Sequence, residues 1–488
     1  MSYMSRHHLS LLREHLSSEL KYFEPFKKIH ETLSSPESGA DSVPSVNTSL
    51  YKNLTLSFEY LGNVYTLKLK NYIDVVKKGD RIKILTEHSE SVTLIRVDLI
   101  DNFYSGIVEN NSGSFAIGYY INGEFEGFVF LKDELLIIEK IILGTVNKIN
   151  YLSGRTSVQH TEPKSSNMTI TYSYDDLDLE YGGNETDYLL PKPEIYVCEV
   201  KPDSDHLKAP DISPKVKRSD SDQFSSKIHK ICNLHIVLDP TFVIEFVGKD
   251  IDQAMKDIIL LVAGMNHLYS STDFDNDGQP DNIGFTIDSV TVYTSSNNPT
   301  FKDVSNFKLK YPNKSLDNAY LTTFSEGSFG YKHCLSLSFT FRDFSGINGL
   351  AYIGDNAALS GIFMWYNQTV SPAVMESYFK KLGKPVPIFH HYNTGLVNFK
   401  RTFKNKRQLR GLLLNTLAHE VGHTFGAIHD DDTKCSGTGQ LMEMFAPPFV
   451  SHRLLTFSNC SKEKILPILK ARIGRFQETN NPYFNVIA

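Results

Sequence analysis

Residues 407–430 read RQLRGLLLNTLAHEVGHTFGAIHD. The apolar spacing is helical and predicts a helix over about 407–425, with Gly426 as a natural stop. A spacing of four puts His419 and His423 on one helix face, one turn apart, where both imidazoles reach one ion. Glu420 projects beside them, placed to take a proton from water rather than to ligate. Gly426 tolerates a left-handed backbone cheaply, so the chain can turn sharply there and bring back His429 as a third ligand. Three protein ligands leave a fourth position open, which marks a catalytic rather than a structural zinc site. A bare HExxH is only suggestive. The added glycine and histidine, three and six positions after the second histidine, make the pattern specific.

The chemistry expected of these parts is peptide hydrolysis. Zn2+ would lower the pKa of a water towards about 7 and polarise the scissile carbonyl. Glu420 would accept the water proton and deliver it to the leaving amine. Downstream, Met442 in GQLMEMFAPP lies where a methionine-containing turn would pass beneath the histidines. Plain core packing is the alternative for such a methionine, and Met444 is the less favoured residue for the position. Phe445 to Pro447 are expected to line part of the substrate pocket. The segment NGLAYIG, 348–354, reads as a strand whose edge could take an extended protein or peptide substrate by strand addition.

At 488 residues the chain predicts about two or three domains. A hydrophobic share of 41% and a charged share of 22% are those of a folded globular protein. The net charge of −6 offers no broad basic field, which argues against nucleic acid as the main partner. No stretch reaches the apolar length of a transmembrane segment. The N-terminus, MSYMSRHHLSLLREHLSSELKYF, does not read as a signal peptide, because charges interrupt it and Leu9, Leu11, Leu12 and Leu16 form a helix-like stripe. Eight Asn-x-Ser/Thr sequons, at Asn47, Asn53, Asn110, Asn167, Asn184, Asn313, Asn367 and Asn459, nevertheless suit an extracellular or secretory location. An open reading frame lacking its first exon would reconcile the two.

Residues 54–145 alternate apolar and polar side chains, from LTLSFEYLGNVYTLKLKNY through IKILTEH and VTLIRVDL to ELLIIEKI, and predict an antiparallel β domain. Turn signals stand at Gly62-Asn63, Asn111 to Gly113 and Asn122-Gly123. Residues 33–48 and 155–190 read as loops. From Ile231 the pattern changes: NLHIVLD and FVIEFVG read as strands, DIDQAMKDIILLVAGMNHLYSS as an amphipathic helix, and IGFTIDSVTVY and LSLSFTF as further strands. That alternation predicts an α/β domain with a mixed sheet. Between the two regions KVKR, 215–218, sits in a polar stretch from Pro202 to Lys227. It is either a solvated basic turn or a cleavage site for a processing convertase after Arg218, with Lys215 in place of the arginine such enzymes prefer.

The extended histidine motif, the following Asp430, GLAYIG at 349–354 and FSNCS at 457–461 together resemble the ADAM (a disintegrin and metalloprotease) proteins. These are reprolysin-type metzincins, and the likeness is greatest to the sheddase branch of TNF-α-converting enzyme and Kuzbanian. It spans about 231–475 well and the β-rich region more loosely. The resemblance implies an α/β (α+β) metzincin catalytic domain, with a mixed, mostly parallel sheet and a zinc-binding helix, preceded by a β-rich prodomain. The implied domains are a prodomain over 1–190, a switch segment and cleavable linker over 191–218, a catalytic domain over 219–478, and a tail over 479–488.

The resemblance also pairs Cys232 with Cys334 and Cys435 with Cys460, while a further disulfide of that branch finds no cysteines here. Cys198, in EIYVCEVKPD about twenty residues before the basic site, is then left over, and suits a cysteine switch whose thiolate fills the open zinc position. Its surroundings depart from the usual Pro-Lys-Val-Cys-Gly pattern, and an ordinary buried cysteine is the alternative. No cysteine-rich disintegrin segment follows, so the chain is expected to be secreted or a fragment of a membrane-anchored parent. Asp273, Asp275 and Asp277 before Gly278 look like half of a calcium loop, but Gly284 stands where a bidentate Glu is needed. A solvated acidic turn is the default there, with Ca2+ the alternative. The leading expectation is a zymogen zinc metalloendopeptidase; the rival is a silent or permanently latent metalloprotease-like binding protein.

Overall fold

The computed structural model describes residues 16, 20–34, 52–71, 75–76, 81–86, 88–94, 97–143, 166–177, 199–200, 229–295, 314–327, 333–344, 347–356, 360–364, 391–401, 406–443 and 455–479. Cys198, the KVKR segment with Arg218, Met444 and Phe445 to Pro447 lie outside them. The chain divides into two compact units, Met1–Asn71 with Phe103–Glu180, and Tyr72–Asn102 with Tyr181–Ala488.

In the first unit the strands are β1 (Glu24–Pro25), β2 (Lys27–Ser34), β3 (Asn53–Tyr60) and β4 (Asn63–Asn71). The chain then leaves for β5 (Arg81–Leu85), β6 (Glu90–Leu94) and the short helix α1 (Val97–Asp101) before resuming. It returns as β7 (Phe103–Val108), β8 (Phe115–Ile121), β9 (Glu124–Phe130), β10 (Leu135–Leu143) and β11 (Ser166–Ser173). Among the described residues the sheet order is β1-β11-β10-β9-β8-β7-β4-β3-β2, with antiparallel neighbours throughout. The alternation has a physical result: Leu54, Leu56, Phe58 and Tyr60 of β3 point into one core with Leu67, Leu69, Phe125 and Val129. Asn122 and Gly123 both take positive φ, 54° and 81°, the conformation a two-residue hairpin between right-twisted strands requires.

Two predicted strands of this region go elsewhere. IKIL and SVTL form the hairpin β5–β6, and β5 pairs in parallel with β14 of the second unit. Alternation marks a strand but not its partner, and β5 buries Leu85 against a different core.

The second unit continues with β12 (Glu199–Val200), β13 (His229–Leu238), α2 (Ile251–Ser270), β14 (Ile283–Tyr293), α3 (Leu316–Glu326) and β15 (Leu335–Thr340). It is completed by β16 (Gly349–Tyr352), β17 (Thr394–Asn398), the small ribbon β18 (Lys400–Arg401) and β19 (Lys406–Arg407), helices α4 (Arg410–Thr424) and α5 (Asn459–Arg472), and β20 (Gln477–Thr479). Among the described residues the sheet order is β12-β16-β17-β15-β13-β14-β5-β6, with β20 also against β13. Helices thus alternate with strands in a mixed sheet: β13 runs parallel to β14 and β15, and β15 to β17, while β16 is antiparallel to β17. Every residue of β13 is buried, as expected of a central strand covered on both faces.

FVIEFVG, expected as a strand, is a π-helical turn over Phe242–Phe246. Asp239 accepts from the Phe242 amide at 2.8 Å and starts the turn. Coiling brings Phe242 and Phe246 to 5.0 Å and packs Phe242 edge-to-face and Phe246 at a tilt against Phe399, so aromatic packing outweighs the β propensity of the run. The disulfides Cys232–Cys334 and Cys435–Cys460 are both formed, with Cα separations of 5.2 and 6.1 Å. The first joins the adjacent strands β13 and β15 at their starts.

Asp257 of α2 meets Arg410 Nη2 at 3.0 Å and Arg407 Nη2 at 3.4 Å, tying α2 to the start of α4. Burial works to raise the Asp257 carboxyl, but the two guanidinium groups outweigh it and hold it below the ordinary carboxylate range. Its stabilising contribution is therefore complete above the unfolded value of about 4 and is lost as pH falls through the lower folded value. Asp257→Ala leaves two cations without their anion and is expected to cost about 3–5 kcal/mol in urea unfolding; a loss under about 1 kcal/mol would contradict this role.

Candidate active site

Helix α4 carries the first two histidines and ends where the sequence places its stop. Gly426 has φ +106°, its amide donates to the His423 carbonyl at 2.8 Å, and the Ala427 amide donates to Gly422 at 3.0 Å. This pair of bonds is a Schellman cap, and it reverses the chain towards His429. A Cβ on Gly426 would come within 2.7 Å of Ile468 and 3.1 Å of the Lys464 carbonyl, so packing as well as φ excludes a side chain. The Gly354 amide adds a second bond to the His423 carbonyl at 2.7 Å, and the Ile362 amide takes the Thr424 carbonyl at 3.0 Å. Arg472 of α5, buried, clamps that crossing segment by donating to the carbonyls of Ile362 (2.8 Å) and Asp355 (3.2 Å). Burial and the neighbouring Arg475 lower its pKa to about 9.

His419, His423 and His429 converge. His423 Nε2 lies 3.1 Å from His419 Nε2 and 3.2 Å from His429 Nε2. His419 Nδ1 sits 2.8 Å from the Leu441 carbonyl and His423 Nδ1 2.9 Å from that of Ala427. A carbonyl only accepts, so both Nδ1 atoms carry the proton and both Nε2 atoms present lone pairs. Two lone-pair nitrogens at 3.1 Å cannot bond to each other, and a cation between them would satisfy both. Tetrahedral nitrogen ligands at 2.0–2.1 Å from a metal stand about 3.3–3.4 Å apart, so the triad fits one ion held by Nε2 atoms. Burial keeps the rings neutral: His419 is lowered to about 3, with His429 as a second cause, and His429 to about 4.

Glu420, buried and between His419 and His423 in sequence, points towards β16. Its Oε2 has no hydrogen-bond partner among the described residues, and burial raises its pKa well above the usual carboxylate value. A Cβ on Gly349 would lie 2.5 Å from Glu420 Cγ and Oε1. Gly349 therefore makes the slot in which the carboxylate sits. Sequence reasoning missed this role, although Gly349 opens the quoted GLAYIG segment.

Met442 lies under the helix: a Cβ on Gly422 would be 2.6 Å from its Sδ. The same turn supplies the Leu441 carbonyl to His419, and the Met442 carbonyl accepts from the Asp430 amide at 2.9 Å. Asp430 Oδ1 in turn accepts from Ser458 Oγ at 2.6 Å and Ser461 Oγ at 2.9 Å, at the N-terminus of α5. Both serines lie in the quoted FSNCS segment, but no bond from them to Asp430 was expected; the local signal is a capping serine before the helix. The edge of β16 pairs in parallel with Glu199–Val200, so the chain itself holds the edge expected for substrate.

The acidic loop is a different matter. Asp273, Asp275 and Asp281 bring oxygens within 4.8 Å of one another, without Asp277. Asp273 accepts from the amides of Asp277 and Gly278, and Asp281 from that of Phe274, so the carboxylates cap their own turn. Gly284 lies inside β14 and supplies no ligand.

Residues 228–446 match the family described as Metallo-peptidase family M12, of reprolysin type. That match falls in the second unit and takes in helix α4 and the three histidines. It aligns with Disintegrin and metalloproteinase domain-containing protein 10 of Homo sapiens at 24% identity over 454 residues, 88% of this chain and 53% of that protein. The Rattus norvegicus protein of the same name aligns at 25% over 451 residues, again 88% and 53%. The homolog from Caenorhabditis elegans aligns at 24% over 180 residues, 36% of this chain and 18% of its own length. The chain thus spans about half the length of the curated relatives it matches most fully, and over that span it is similar to ADAM proteins of the Kuzbanian branch. A solved chain titled "Structure of a chaperone-substrate complex" overlays 51% of this chain and 35% of its own at 11% identity, with a TM-score of 0.26, too low to define a shared fold.

Because the rings are already neutral, protons compete with a bound metal only as pH approaches about 3–4. Zinc content by atomic emission is expected to be one per chain and equal at pH 7.5 and pH 6, and to vanish in His423→Ala. A steep loss between those two pH values would contradict the buried, neutral triad.

Proposed function

We propose that this metalloprotease is a zinc-dependent endopeptidase made as a zymogen, cutting extracellular or cell-surface proteins with Glu420 as general base. The observation that carries the reading is the convergence of three imidazoles, two with lone pairs fixed inward, beside a buried carboxylate whose Oε2 has no partner among the described residues. A zinc ion held by His419, His423 and His429 supplies a Lewis acid that polarises the peptide carbonyl and makes water acidic at neutral pH. Glu420 takes one proton from the water at its orphan oxygen as the oxygen adds to the carbonyl carbon. It then returns that proton to the amide nitrogen as the carbon–nitrogen bond breaks. Gly349 keeps the carboxylate in place, and the edge of β16 aligns an extended substrate by main-chain hydrogen bonds.

Latency is the second half of the proposal. The pairing of Glu199–Val200 with Ala351–Tyr352 supports a prosegment lying on the substrate edge. Cys198 directly precedes that pair, which supports it as the thiolate ligand of the zymogen, released by convertase cleavage after Arg218. The corresponding boundaries are a prodomain to about residue 190, a switch and linker to 218, and a catalytic domain over 219–478. Exposed Asn53 and Asn110 support a glycosylated, secretory-route protein. No helix of the described residues is long and apolar enough to cross a membrane.

The test is a peptide panel assayed before and after convertase treatment. Activity should appear only after cleavage and fall by at least about 10³-fold in Glu420→Ala, zinc content unchanged. Activity surviving that substitution would remove Glu420 from the mechanism; silence after confirmed cleavage would favour a binding protein. Gly349→Ala should lower kcat at least about tenfold with zinc retained, because its methyl displaces the carboxylate. Unchanged kcat would refute the slot.

A further inference from the structure

Residues 72–102 leave the first sheet between two strands that are direct neighbours. β4 pairs with β7, with Asn71 opposite Tyr104, so the first sheet would close with a short turn in their place. Instead the excursion enters the metalloprotease unit. β5 pairs in parallel with the outer edge of β14, matching Val290 to Ile82, Thr291 to Lys83, Val292 to Ile84 and Tyr293 to Leu85. The Val75 carbonyl accepts from the Ile287 amide at 2.7 Å, and the Leu85 carbonyl from the Thr294 amide at 2.9 Å.

Side chains follow the backbone. Val75, Ile82 and Leu85 are buried, and Leu85 belongs to one core with Val237, Tyr293, Tyr320 and Phe324. β6 then closes the edge with a water-facing surface: Glu90 to Thr93 are exposed, and Glu90 pairs with Lys83 at 2.9 Å. Polar, charged outer strands are how sheets avoid further pairing. Without this hairpin, β14 would show a row of unpaired amides and carbonyls, and the core would lack Leu85.

We infer that residues 72–102 are a structural part of the metalloprotease unit, and that they hold the N-terminal region to residues 229–479 by strand addition after the chain is cut between 201 and 228. The surface is the outer edge of β14, and its partner is the β5–β6 hairpin of this same chain. A single cut between 201 and 228 therefore yields a two-piece complex, whether or not the cut releases the Cys198 switch. The claim concerns assembly, and it stands or falls independently of peptidase activity.

The experiment uses the full chain with a site-specific protease sequence inserted between residues 201 and 228. After cutting, size-exclusion chromatography at micromolar concentration should give one species at the mass of the intact chain, 55.2 kDa. Replacing 72–102 by Asn-Gly, together with Cys198→Ser and Val200→Pro to remove the β12–β16 hold, should make the same cut release two species. Separation in the parent, or retention in the replaced variant, would overturn the inference. Should the replacement fail to fold, Leu85→Asp should weaken association at least about tenfold relative to the parent, while Val92→Asp on the exposed outer strand leaves it unchanged. Equal association in Leu85→Asp and the parent would also overturn it.

Discussion

Two backbone carbonyls, of Leu441 and Ala427, hold two imidazoles by their Nδ1 protons, and the chemistry of the centre depends on that constraint. A histidine with a free choice of tautomer would turn a proton inwards half the time and could not bind a cation there. Fixing Nδ1–H turns Nε2 into a permanent donor of electrons. Both carbonyls come from segments that the active-site helix itself positions. Ala427 follows the glycine that ends the helix, and Leu441 precedes the methionine packed beneath it. The helix, its cap and the methionine turn therefore form one unit.

Around this unit lie supports that do no chemistry. Asp430 links the third histidine to the two serines at the start of α5, Arg472 pins the segment that crosses the helix end, and Asp257 with two arginines fixes where the helix begins. Three glycines, Gly349, Gly422 and Gly426, are needed for the space they leave. Each admits something close: a carboxylate, a sulfur, and a neighbouring helix. Substitution there would move these groups without touching any of the three histidines.

Much of this was legible in the sequence, and the reasons differ. Ligand spacing on a helix is local geometry, so His419, His423, the Gly426 stop and the long strands could be read directly. Disulfide partners came from resemblance. What local pattern cannot carry is which edge a strand joins: IKIL and SVTL look like their neighbours but cross to another sheet. Nor could alternation predict that Phe242 and Phe246 gain more by packing against Phe399 than by extending. Arg472 and Ser461 look like ordinary surface residues in sequence; only the fold buries them.

The most direct measurement is zinc K-edge X-ray absorption on the metal-loaded full chain. Three imidazole nitrogens at about 2.0 Å, with the outer-shell scattering of histidine rings, are the expected result. A fit with fewer than three imidazoles would contradict the converging triad on which the rest of the centre is built.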